Sequence, residues 1–199
     1  MSERHNAVWF KISGICGFLT PITAFALIFA AIISYPEFNW LNNALSDLGI
    51  IQGVTAIFFN TGLIASGVLG FIFATGLFRL LRQHVVGKIG ATIFIVVTIA
   101  LSAIGIFPEN IRPIHYIVSV IFFALLPIAT LIITAAFWLM QKKRLALFTL
   151  LVAIVAATPW ILYFTIHYAP NVAIPETLSA FAGAVWTVVI SGRMLKKHS

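Results

Sequence analysis

Six long apolar runs, at about 8–34, 54–78, 88–107, 113–140, 145–167 and 176–193, alternate with short polar stretches along this chain. Each is near or above the ~20 residues that a helix needs to cross ~30 Å of hydrocarbon. Strands of a membrane barrel would be alternating segments of ~10 residues, whereas these runs are apolar on every side. The pattern predicts an all-α polytopic membrane protein, a bundle of six transmembrane helices forming one domain over residues 1–199. Between the first two runs the pattern changes: Phe38, Leu41, Leu45 and Leu48 recur at helical spacing, while Asn39, Asn42, Asn43, Ser46 and Asp47 fill the gaps. With Asn39 as N-cap and Gly49 as stop, this stretch predicts a short interfacial helix before the second spanning helix.

Composition agrees with that class. The chain is 61% hydrophobic and 9% charged, with a mean hydropathy of +1.09, too apolar for a water-soluble surface. Its formal net charge of +7 raises nucleic acid as a partner. That reading needs a continuous basic face, and the basic residues fall instead in short clusters between the apolar runs. They read as topology signals, with the lipid bilayer as the partner and no nucleic acid. Cys16 is alone, so no intramolecular disulfide forms. The first run is too long for the apolar core of a signal peptide.

Charge also predicts the orientation. Arg4 and Lys11, then Arg79, Arg82 and Lys88, then Lys142, Lys143 and Arg144, then Arg193, Lys196 and Lys197 make up 11 of the 12 basic residues. Six crossings put all four groups on one side of the cell membrane, which the positive-inside rule makes cytoplasmic, with both termini in the cytoplasm. The other side carries Glu37, Asp47, Glu109 and Glu176 against one base, Arg112.

The candidate chemistry centres on Phe107–His115, a polar island holding Glu109, Arg112 and His115 at i, i+3 and i+6. Arg112 either snorkels to lipid phosphate or pairs with Asp47 or Glu109. Asp47 either caps helix-end amides or meets a cation, and Ser46 beside it reads as a turn or cap residue. Asn60 lies about two turns into the second run, where its amide needs a partner, as helix glue or as part of a site. His115, His167 and Glu176 are metal candidates of the His₂Glu type, although no His-x-x-x-His or His-Glu-x-x-His spacing sharpens that reading. Gly62, Ser66 and Gly70 form a strip of small residues fit for close helix packing. Pro21, Pro127 and Pro159 fall inside spanning runs, where they free carbonyls and bend helices. No Gly-rich phosphate loop, CxxC pair or cofactor fingerprint is present, which leaves the cofactor open.

Three local patterns, Ser46-Asp47-Leu48-Gly49, Phe59-Asn60-x-Gly62 followed by Gly67, and Gly105-x-Phe107-Pro108-Glu109 with His115 further on, occur in this order. In these the chain resembles the prokaryotic membrane proteins of domain-of-unknown-function family 998, and the resemblance covers nearly its whole length. It implies a six-helix unit and marks Asp47, Asn60, Glu109 and His115, but supplies no substrate. A remoter similarity to DRAM-type six-helix membrane proteins adds no chemistry.

Three functions remain open. In the first, the protein is non-enzymatic and an extracytoplasmic polar pocket binds a lipid head group or small amphiphile. Arg112 would then hold an anionic group, and Asp47, Glu109 and His115 would orient it, with the pocket extended by His167 or Glu176. In the second, an intramembrane hydrolase uses a metal on His115, His167 and carboxylates. The third is a small transporter or channel with acids at its mouth. The first asks least of the residues: a hydrolase needs three converging ligands, and a transporter needs polar groups at mid-membrane, where Asn60 stands nearly alone.

Overall fold

The computed structural model describes residues 3–196, with Lys197 outside them and only the backbone of residues 3–6, Arg4 among them, described. Its elements are α1 (Glu3–Ile33), a 3-10 helix (Leu45–Ile50), α2 (Val54–Leu81), α3 (Val85–Ile106), α4 (Ile114–Leu139), α5 (Lys143–Ile166) and α6 (Ala173–Lys196). No strand occurs among the described residues, and six of the helices are long and apolar enough to cross a membrane. Each apolar run has become one helix, with ends a few residues from those predicted. The chain is therefore a multi-pass membrane protein.

The helices form a ring in chain order. Each packs on the next, and α6 closes the circle against α1. Small residues allow that closeness. A Cβ added at Gly62 would lie 2.7 Å from Leu27 of α1, and one at Gly67 would lie 2.5 Å from the Ser102 backbone of α3. Lipid tails drive no hydrophobic association between helices, so such contacts supply much of the packing. Inside the half of the bundle nearer the termini, Trp186 is fully buried against Phe73 and Phe94, with ring centroids at 6.2 and 5.0 Å. Its indole N–H donates to Thr149 Oγ1 at 3.1 Å, which satisfies a buried donor that hydrocarbon could not.

The start of α1 and the end of α6 lie at one end of the bundle, with the loops after α2 and α4. Two basic residues there rest on aromatic faces: the Arg79 guanidinium is 4.8 Å from the Trp9 ring centroid, and the Lys143 ammonium is 5.4 Å from that of Trp138. Such stacking suits a membrane interface, where a long basic side chain covers apolar surface. The opposite, distal end carries the three loops after α1, α3 and α5.

The structure corrects one element. Residues 39–49 do not form an amphipathic helix. Asn39 Oδ1 accepts from the N–H of Leu41 (2.8 Å) and of Asn42 (3.2 Å), and Asn43 Oδ1 accepts from Asn39 N–H (2.9 Å). These short amides turn the chain locally in place of a helical ladder. Only Leu45–Ile50 coils, as a 3-10 turn. Leu45 and Leu48 are 8% and 0% exposed, so this piece plugs the distal end of the ring.

Candidate functional site

The 3-10 plug is the hub of the distal end. Asp47 Oδ2 accepts from Asn43 Nδ2 (2.7 Å) and from Ala44 N–H (3.0 Å), so it caps the turn from which the plug starts. Ser46 Oγ–H donates to Glu109 Oε2 at 3.1 Å, tying the plug to the α3–α4 link. Leu45 N–H donates to Glu176 Oε2 at 2.8 Å, tying it to α6. Asn171 Nδ2 donates to the Asn42 carbonyl at 2.8 Å and adds the α5–α6 loop. From inside the ring, Asn60 Nδ2 donates to the Gly49 carbonyl at 2.9 Å. Asn60 is thus glue between α2 and the plug, and it does not line the cavity described next.

The α3–α4 link folds around its own polar residues. His115 is buried at the start of α4, and its Nδ1 stands 2.7 Å from the Phe107 carbonyl that ends α3. A carbonyl only accepts, so Nδ1 carries the proton and Nε2 is left as an acceptor in the neutral ring. Arg112 Nη2 donates to Glu109 Oε1 at 3.1 Å, the pairing expected of the lone distal base. With the Arg112 side chain 76% exposed, the bridge falls in the ~0–1 kcal/mol range of open surface pairs, not above it. Beside these groups, Tyr35 donates to Glu37 at 3.2 Å. Its phenol is pushed above its ordinary value by desolvation, by that hydrogen bond and by the charges of Glu37 and Asp47.

Asp47, Glu109, Arg112, His115 and Glu176 all line one cavity of about 890 Å³, together with Ser46 and Asn171. The sequence reading brings the first four of these together, and so does the fold. His167 is not among them: it ends α5 in a left-handed conformation, with φ at 49°, and lies exposed beside Tyr163. Among the described residues no three His, Cys, Asp or Glu side chains converge as metal ligands. The set His115, His167 and Glu176 is therefore not assembled, and the hydrolase reading loses its centre.

Below its polar mouth the cavity runs between α4 and α5, along Tyr116, Ser119, Phe123 and Pro127 on one side and Ala157, Trp160, Ile161 and Phe164 on the other. From Tyr116 to Pro127 is about 16 Å along the helix axis. Tyr116, Ile161 and Phe164 are 70%, 58% and 68% exposed, so protein does not close this side. A second, apolar chamber of about 120 Å³ occupies the middle of the ring, walled by residues such as Phe25, Leu63, Phe73, Phe94 and Phe122. Ser46, Ser119, Phe123 and Glu176 line both spaces.

Three features of the site escape the sequence reading. Ser46, taken there as a turn residue, is buried and bonds across to Glu109. Glu176, taken as a metal candidate, is 7% exposed at the junction of the two spaces. The aromatic wall is the third, and the signal for it is the spacing of Trp160, Tyr163 and Phe164 on α5, opposite Tyr116 and Phe123 on α4.

The chain belongs to the family of proteins of unknown function DUF998, which it matches over residues 18–193, from within α1 to within α6. No curated protein and no solved structure matches it.

Proposed function

We propose that this chain is a non-enzymatic protein of the cell membrane, with both termini cytoplasmic, that takes a lipid head group or small amphiphile into its distal cavity. Asp47, Glu109, Arg112 and His115 would meet the head group, and the α4–α5 wall the apolar part. The observation that carries this reading is the division of the cavity: ionisable and hydroxyl groups at the mouth, mainly aromatic and aliphatic residues for about 16 Å below it. An amphiphile is divided in the same way. The open side between α4 and α5 gives it a path from the bilayer that never exposes its tail to water. Sidedness rests on Lys11, Arg79, Arg82, Lys88, Lys142, Lys143, Arg144, Arg193 and Lys196 at the terminal end against Arg112 at the distal end.

The test is to fill the crevice. Ala157 lines it without being needed by the polar mouth, so Ala157→Trp should occupy the apolar wall and leave the loops in place. Wild-type protein purified in mild detergent should carry an organic-extractable amphiphile at near-stoichiometric amounts by mass spectrometry. The Ala157→Trp variant, with unchanged helix content, should lose it. Equal retention by both, or retention by neither, would overturn the reading.

A further inference from the structure

The geometry points to a ligand whose head is a protonated amine, an alkylammonium amphiphile, held by Glu176 at the neck between the two spaces. This rests on the cavity reading above and fixes the charge of what the cavity takes. It reverses the expectation drawn from Arg112, which favours an anionic head.

The first observation is Glu176 itself. It is 7% exposed and lines both the polar cavity and the apolar chamber. Its Oε2 accepts from Leu45 N–H, while among the described residues no hydrogen bond or ion pair reaches Oε1. A buried carboxyl with one oxygen unspent and no cation beside it is costly to ionise in an apolar wall until a positive partner arrives. Of the other carboxylates on the cavity, Glu109 is engaged through both oxygens, by Arg112 and Ser46, and Asp47 through Oδ2, by Asn43 and Ala44, so that Glu176 is the one held by a single bond.

The second observation is independent of charge and concerns donors and acceptors. His115 spends its Nδ1 proton on Phe107, leaving Nε2 as an acceptor, and Ser46 spends its hydroxyl proton on Glu109, leaving oxygen lone pairs. The strongest donor on the cavity wall, Arg112, stands at the rim, 76% exposed and paired. Beside Glu176 these acceptors suit a head group that brings its own protons, while the Trp160 indole N–H, without a partner among the described residues, lies on the α4–α5 wall. An ammonium brings three and a positive charge, and the aromatic faces of the α4–α5 wall tolerate a cation as well. A carboxylate or phosphate head beside Glu176 would face the carboxylates of Glu176, Glu109 and Asp47.

The experiment uses full-length protein in phosphatidylcholine nanodiscs and three probes that share one chain, dodecylammonium, dodecanoate and dodecanol, with binding measured above that of empty nanodiscs. Wild type should bind dodecylammonium at least about tenfold more tightly than dodecanoate, the scale of one close charge pair out of bulk water. Glu176→Gln, whose amide oxygen can still accept from Leu45, should lose that preference. Glu37→Gln, outside the cavity, should keep it. Preference for dodecanoate, or an unchanged preference in Glu176→Gln, overturns the assignment of charge while leaving a binding cavity. Failure of all three probes to bind overturns both.

Discussion

Leu45 and Glu176 lie 131 positions apart in the chain, and the N–H of the first donates to the carboxylate of the second at 2.8 Å inside the protein. That bond joins the 3-10 plug to α6 and closes the ring of helices at its distal end. Removing the acceptor strands a buried N–H, which costs about 1–3 kcal/mol. Glu176→Leu should therefore lower the thermal unfolding midpoint in detergent markedly, and Glu176→Gln should hold it near wild type. Equal midpoints for Leu and Gln would show that the bond contributes nothing.

Gly67 faces α3 so closely that an added Cβ would overlap Ser102 Oγ and lie 2.5 Å from the Ser102 backbone nitrogen, whereas at Gly192 the nearest atom would be 3.7 Å away. Backbone cannot swing aside as a flexible side chain can. Gly67→Ala should destabilise by about 1–3 kcal/mol through overpacking, and Gly192→Ala should be neutral or slightly stabilising through its better helix propensity. Paired unfolding curves of the two variants check this.

The Arg112–Glu109 bridge makes a contrary expectation. Because the guanidinium is 76% exposed, Arg112→Ala should cost at most about 1 kcal/mol, and raising the salt concentration should shrink even that. Ser46→Ala removes a bond to the same carboxylate from a buried hydroxyl, at about 1.5 kcal/mol. The order Ser46→Ala worse than Arg112→Ala, read from unfolding midpoints at two salt concentrations, is the result to look for.

Orientation is tested by labelling. In a Cys16→Ser background, Lys143→Cys should resist a membrane-impermeant maleimide in intact cells and react after the membrane is opened. Glu37→Cys should react in intact cells. The reverse pattern would invert the sidedness drawn from the basic residues.

The sequence alone determined the spanning helices, because each must bury its backbone hydrogen bonds within itself and show hydrocarbon an apolar surface over its whole length. That is a local requirement, written in runs such as Val85–Ile106 and Ile114–Leu139. The nearness of Glu109 to His115 was legible for the same kind of reason, since few residues separate them. What the sequence could not determine lies where distant segments meet. The helical spacing of Leu41, Leu45 and Leu48 reads as an amphipathic helix, yet Asn39 and Asn43 turn the chain and the ring draws the two buried leucines in as a plug. His167 and Glu176 look alike in sequence, polar residues flanking one loop, but α5 ends with His167 turned to the surface while α6 carries Glu176 under the plug. Only the closing of α6 on α1 decides which of them becomes a buried, half-partnered group between two cavities, because burial and pairing depend on what the rest of the chain brings to the same place.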